Sequence, residues 1–358
     1  MKKIQTDEAY WHGRRAQQKW VKGLARQGVE RKHFSVRTPN LSVFGRLIIR
    51  APRFLNVFNE EHCVEFLLFL DDLREKCVEQ NKRVLIDLQD TVSCKICAIL
   101  VLFAHIHSIQ FETGSPFVIS ITKSGLREID IVFRETGFFN LLSGNINYGP
   151  HQILTAVSGE SLDDLDDSIR TCVKYVSESI TEAGLDDDIH DAMYAAVTES
   201  IINVGNHAYE EPDVALQNFV DKVGKRWWFI TRRIQDQLFV AIYDMGETIP
   251  RTIPRRPFYE EITSMIADLI NGNRDSNLIK GSMEYGRSRF KQEKRGKGLS
   301  DIKAFVEANP DGQLMLYSRY GRYNYHTKND IEELNDSKRP LQGTLIQWNI
   351  QLSNNGGS

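Results

Sequence analysis

DDDIHDAMYAAVTESIINVGNHAY, residues 186–209, is the stretch on which the reading of this chain turns. Asp186, Asp187 and Asp188 supply a capping side chain and negative charge where a helix N-terminus favours both. Ile189, Met193, Val197 and Ile201 recur every four residues, with Ala196 and Val204 beside them, so the spacing predicts a helix with one apolar stripe. Glu199, Asn203 and His207 also recur every four residues, which places a carboxylate, an amide and an imidazole one turn apart on one side. The carboxylate can take a proton from water or a hydroxyl. The amide oxygen can hold Mg²⁺, which prefers hard oxygen ligands and keeps several sites for water and phosphate. An ordinary amphipathic helix with polar residues outside explains the same spacing, so the row alone does not decide between them.

Downstream, Trp227-Trp228-Phe229-Ile230-Thr231 and Gln237-Leu238-Phe239-Val240-Ala241-Ile242-Tyr243 read as antiparallel strands joined near Gln235-Asp236. The second strand runs into Asp244-Met245-Gly246. There a carboxylate beside open backbone can accept a hydrogen bond from an exocyclic amine such as adenine's. Arg295-Gly296-Lys297-Gly298-Leu299 then leads into a helix through Phe305 and Val306. Glycines with a lysine at a helix start offer backbone N–H groups and a favourable dipole to phosphate. The spacing is not that of a P-loop. Last comes Gly343-Thr344-Leu345-Ile346-Gln347-Trp348, read as a late strand opening on Gly-Thr.

Each of these signals is weak, and their order is the stronger signal. A Glu/Asn helix, an Asp-x-Gly turn, a Gly-x-Gly-Leu helix start and a Gly-Thr strand, spread over nearly 190 residues, resemble the GHKL ATPases (histidine kinases, gyrase B, MutL and the anti-sigma-factor serine kinases). The resemblance implies a largely antiparallel mixed sheet backed by helices, with ATP and Mg²⁺ as cofactors. It implies Glu199 as general base, Asn203 as Mg²⁺ ligand and Asp244 as the adenine partner, with Gly246 allowing close approach. By the same resemblance Gly296, Lys297, Gly298 and Leu299 wrap the phosphates and Thr344 supports Asp244; His207, in the row with Glu199 and Asn203, is counted with the cofactor-binding set. Thr248 stands where the family's second glycine is expected.

Upstream, strands alternate with helices, as in a small α/β layer. Leu47-Ile48-Ile49, Val84-Leu85-Ile86-Asp87-Leu88 and Phe117-Val118-Ile119-Ser120-Ile121 read as strands. Glu61 to Cys77, Ile96 to Ile106 and Leu126 to Phe133 read as helices. The VLIDL strand and the ending VFRETGFFNLL resemble a STAS domain. The family's hydroxyl-bearing phosphoacceptor loop is replaced by about Lys95-Ile96-Cys97-Ala98, so this half reads as a docking or dimerisation module. Cys94 and Cys97 form a lone C-x-x-C and read as packing residues.

The expected organisation is therefore a two-domain α/β protein. It has a basic arm (1–40), a STAS-like layer (41–150), a GHKL α/β sandwich (151–352) with a lid at about 251–294, and a short tail (353–358). The first 37 residues hold ten Lys/Arg against three Asp/Glu, while the whole chain carries a net charge of −3. Any basic surface is thus local. No apolar run approaches a membrane span, no secretory signal opens the chain, and five cysteines without a framework fit a reducing compartment. A cytoplasmic location and no membrane partner are expected. His190 lies within the Glu199 helix, which excludes it as a histidine-kinase phosphoacceptor, and no transducer segment follows the last strand. The functional expectation is an ATPase or serine/threonine kinase switch acting on a protein partner, itself of STAS type or otherwise, with homodimerisation left open. The alternative is an ATP-gated nucleic-acid module using the basic arm and lid.

Overall fold

Residues 227–231 and 238–244 bury successive side chains on both faces of the sheet they form, apart from the partly exposed Phe239. A sheet that hides both faces needs a layer on each side. The computed structural model describes residues 42–43, 45–145, 152–157, 162–182, 187–266, 274–289 and 298–352. The basic arm, the turn at 148–150, Asp186, Gly296, Lys297 and the tail lie outside the described residues.

The first half runs β1 (Ser42–Val43), β2 (Arg46–Arg50), β3 (Phe54–Leu55), α1 (Glu60–Arg74) with a π turn at Glu75–Glu79, β4 (Val84–Asp87) and β5 (Ser93–Cys94). It continues through α2 (Ile96–Thr113), β6 (Ile119–Ile121), α3 (Arg127–Glu135) and α4 (Phe138–Leu142). The second half begins with β7 (Leu154–Val157), α5 (Leu162–Glu182), α6 (Asp187–Asn203) and α7 (Val214–Val223). The hairpin β8 (Arg226–Ile234) and β9 (Gln237–Asp244) follows, then α8 (Ile249–Thr252), α9 (Tyr259–Met265), α10 (Arg274–Arg289), α11 (Gly298–Glu307), β10 (Gln313–His326) and β11 (Ile331–Gln351).

The protein is mixed α/β. One sheet has the order β1-β2-β4-β6, with β2, β4 and β6 parallel; a larger one has the order β10-β11-β9-β8-β7 and is antiparallel throughout. Parallel pairing upstream follows from the helices that separate the strands. The hairpin turns at Gln235, in left-handed backbone at φ 57°, as the sequence placed it. The Gly-Thr reading needs correction. Gly343-Thr344 lies well inside β11, which begins at Ile331 and pairs with β10 beyond a bulge at Ser318–Gly321.

The larger sheet alternates strictly. Trp227, Phe229, Leu238, Val240, Ile242, Ile346 and Trp348 pack against α5, α6 and α11. Trp228, Ile230, Ala241, Tyr243 and Leu345 share the other core with α1, α2 and the strands of the smaller sheet. Helix α2 thereby lies in a core fed by both sheets. Its residues Ile96 to Gln110 are all buried, which explains why it is apolar on every side. By length and composition it could cross a membrane, but 83% of it is taken up by internal packing. Its two histidines face the larger sheet. Trp228 Nε1 donates to His107 Nδ1 at 3.2 Å, and the Tyr243 hydroxyl meets His105 Nε2 at 3.3 Å. Burial, reinforced by Arg74 near His105 and Arg226 near His107, pushes both imidazoles down to about 3, so they remain neutral partners at ordinary pH.

One core thus spans the boundary that the sequence placed near residue 150. A chain starting at residue 151 leaves the Trp228–Ile230–Tyr243 face bare, an apolar patch beyond what soluble monomers carry. We expect that fragment to sediment as aggregates, whereas the full chain remains dispersed. A monomeric fragment with cooperative unfolding would contradict the shared-core account.

Candidate functional site

Among the described residues, those singled out in the second half gather on the helical face of the larger sheet, at one end. Helix α6 forms as its spacing predicts, but its last turn changes. After Asn203 the backbone adopts a π turn over Val204–Ala208, which widens the spacing just where His207 lies. Glu199 and Asn203 are half-buried on α6. His207 is about half exposed, and its Nδ1 lies 2.8 Å from Arg256 Nη2. Partial burial and then the Arg256 charge push its pKa down.

The π turn delivers Ala208 directly onto the Asp-x-Gly turn. Glu247 N donates to Ala208 O at 2.6 Å, and a Cβ on Gly246 would lie 2.4 Å from that same carbonyl oxygen. Glycine at 246 is therefore required by the approach of α6, in addition to any ligand. Asp244 is 5% exposed, and its Oδ1 accepts from Gly246 N at 2.9 Å; the Thr344 N–H opposite it on β11 donates to the same carboxylate. Desolvation outweighs these two bonds and pushes the Asp244 carboxyl up to about 7. Tyr209 is buried beside it, donates to Arg226 O at 3.0 Å, and is raised well above the usual phenol range by burial and then by the Asp244 charge.

Thr344 lies inside β11 opposite Asp244, with a partner that sequence reasoning missed. Ser318 on β10 bonds Thr344 Oγ1 at 2.9 Å, and its own Oγ accepts from Ile249 N at 2.9 Å. That chain ties β10, β11 and the segment after Gly246 together. No spacing rule couples Ser318 to Thr344, because the pairing depends on β10–β11 register. Helix α11 begins at Gly298 and packs along α6, with Trp348 Nε1 donating to Ile302 O at 2.8 Å. Gly298 and Leu299 thus open a helix beside the Glu199 helix. Gly296 and Lys297 precede the described part.

The span read as a lid is largely helical where described, with a small core of Ile253, Ile262, Leu278 and Tyr285. Asp336 of β11 caps α10, accepting from Asp275 N at 3.2 Å and Ser276 N at 2.9 Å. Its first arginines clasp the acidic stretch after α6. Arg256 meets Glu210 at 2.6 Å, Arg251 lies 3.9 Å from Asp213, and Arg255 forks onto the buried Glu247 carboxylate at 2.6 and 2.8 Å. Further along, Lys280 and Lys303 meet Glu332 at 2.8 and 2.6 Å, holding that carboxyl down at about 2 against its desolvation.

Among the described residues no group of three or more His, Cys, Asp or Glu is arranged to hold a metal. The Cys94 and Cys97 thiols are pushed up to about 11 and about 12 by burial, which agrees with packing roles. An Mg²⁺ carried mainly by phosphate oxygens needs few protein ligands, so one amide such as Asn203 suits it.

No protein-family model matches the chain, and no curated protein matches it at a significant level. The functional reading therefore rests on the sequence order and this geometry.

Proposed function

We propose that the α6–α11 face of the larger sheet binds ATP with Mg²⁺ as a GHKL-type unit, and that the protein is an ATP-dependent regulatory switch. What carries the reading is one juxtaposition. The Glu199–Asn203 helix, the Asp244 turn and the helix start at Gly298 share one face of an antiparallel sheet, and the Ala208–Glu247 bond locks the first two together.

In this reading the Asp244 carboxylate accepts the adenine amine, with Thr344 and Ser318 holding it in place. The backbone at Gly296–Leu299, with Lys297, receives the phosphates at the start of α11. Asn203 holds Mg²⁺, which when bound neutralises phosphate charge and orients the terminal phosphoryl group. Glu199 removes the proton from the attacking hydroxyl. That hydroxyl belongs to water in an ATPase, or to a serine or threonine of a partner protein in a kinase. The first half, which resembles a STAS domain without its hydroxyl loop, serves as a docking layer packed in cis. Any phosphoacceptor therefore lies on another protein, and a STAS-type protein is the first candidate. The nucleic-acid alternative loses part of its lid support, since Arg255, Arg256 and Lys280 are each engaged by acidic side chains.

The test is purified protein with γ-labelled ATP, with and without candidate partners, following label to free phosphate or to protein. Glu199→Gln is expected to keep ATP binding and lose turnover by roughly 100-fold or more. Asn203→Ala is expected to lose the Mg²⁺ dependence of binding. Undiminished ATP binding in an Asn203→Ala/Asp244→Ala double variant would remove this assignment.

A further inference from the structure

On the opposite side of the Asp244 turn, the two halves of the chain enclose a cleft of about 490 Å³, within the roughly 300–1,000 Å³ of small-molecule sites. It shares Gly246 with the proposed nucleotide site. Its walls come from α1, α7, residues 245–251 and the β10–β11 bulge, and neither Glu199, Asn203, Asp244 nor Thr344 lines it. Met245 and Leu341, which do, belong to the core shared with α2.

The lining has two characters. Leu70, Leu216 and Phe219 give an apolar wall. The lining also carries a cationic edge of Arg251, Arg319 and Arg339, set among the carboxylates of Asp71, Asp213 and Glu247. Arg251 lies 3.9 Å from Asp213 with both side chains over half exposed, and Arg319 reaches Asp275 at 3.3 Å. Arg339 is the better paired, at 2.6 Å from an exposed Asp71. Between the two sits Thr248, 6% exposed, whose Oγ1 is buried without a hydrogen-bond partner. A buried hydroxyl left unpaired costs about 1–3 kcal/mol, and native structures seldom retain one without use. Arg319 adds a second cost. It holds left-handed backbone at φ 57° beside the bulge, an uncommon state for a side chain that is neither glycine nor asparagine.

We propose that this cleft binds a small amphipathic anion: an apolar body against Leu70, Leu216 and Phe219, with a carboxylate, sulfonate or phosphate oxygen accepting from Thr248 Oγ and facing Arg251 and Arg339. The assignment does not depend on nucleotide binding at the other face. Two features argue for an anion over a neutral apolar molecule. The orphan hydroxyl needs an acceptor, and the arginine edge favours a charged one.

The experiment is a fluorescence titration of the full chain with 8-anilinonaphthalene-1-sulfonate, an aromatic body bearing one sulfonate, with octanoate as competitor. Saturable binding of one dye per chain, displaced by octanoate and unaffected by ATP–Mg²⁺, is expected. Arg251→Gln/Arg339→Gln should weaken it at least about tenfold, and Thr248→Val severalfold. Ala215→Trp, on the exposed rim of α7, should block it by filling the cleft. Circular dichroism melts identify any variant that does not fold. If Ala215→Trp fails, the arginine pair decides, because both side chains are exposed. Dye binding that is unsaturable, or equal in the folded arginine variant and the wild type, would overturn the proposal.

Discussion

Replacing Asp244 by asparagine is expected to weaken ATP binding roughly 100-fold while raising the unfolding temperature at pH 8. Both effects come from the same buried carboxylate. Its pKa stands at about 7 in the folded protein against an ordinary value of 3.8, with burial as the leading cause. A folded state that holds its proton more tightly than the unfolded state is fully favoured below the unfolded pKa. It loses that advantage as pH rises through the folded one. About three units correspond to roughly 4 kcal/mol of stability surrendered between pH 4 and pH 8. Asparagine carries no charge to bury, so the variant's stability stays flat across that window. The amide offers one acceptor oxygen where the carboxylate offers two to Gly246 N and Thr344 N, which holds the expected gain at pH 8 to about 2 kcal/mol, a shift of a few degrees.

Binding moves the other way. An exocyclic amine donates, so only the ionised carboxylate receives it well. Wild-type affinity should therefore be flat above about pH 8 and fall about tenfold per unit well below pH 7, while the variant is weak throughout. Melts and ATP titrations at pH 5.5, 7 and 8.5 separate the two claims. An unchanged ATP affinity removes Asp244 from the adenine site, and an unchanged melting difference between pH 5.5 and 8.5 removes the burial argument.

The sequence showed what local chemistry encodes. The α6 stripe, the 234–237 turn and the helix start at Gly298 all follow from spacing within about twenty residues, and the structure has them. It did not show what depends on pairing between distant strands. Ser318 reaches Thr344 only through the β10–β11 register, and β11 is twelve residues longer at its start than Gly343-Thr344 suggests, because its outer part is held by α10 and by Asp336. The π turn at Val204–Ala208 was also illegible. Nothing in Val-Gly-Asn-His-Ala announces an extra residue per turn, and the turn's purpose appears only where Ala208 meets Gly246. The common core of the two halves was hidden for a related reason. An all-apolar helix such as α2 reads alike whether it is covered by one layer or two.

The second large effect concerns Gly343, and a control glycine separates its two causes. Gly343 has φ 75°, and a Cβ there would lie 1.9 Å from Asp244 O, 2.6 Å from Asp244 C and 2.7 Å from Met245 Cα. Gly114 ends α2 in a similar left-handed state at φ 62°, with nothing within 4 Å of its added Cβ. Gly114→Ala therefore meets only the backbone penalty, about 1 kcal/mol. Gly343→Ala meets that penalty and a collision with main-chain atoms of β9, which cannot swing aside as a side-chain tip can. The strand must separate from β9 beside the Thr344–Asp244 pair. We expect Gly343→Ala to cost more than about 3 kcal/mol and to abolish ATP binding in whatever fraction remains folded, because the Thr344 N–H then leaves the Asp244 carboxylate. Urea unfolding of the two variants in parallel measures the difference. Equal losses for Gly114→Ala and Gly343→Ala would mean that β9 and β11 do not approach so closely at this point, and the support that Thr344 gives Asp244 would fall with that contact.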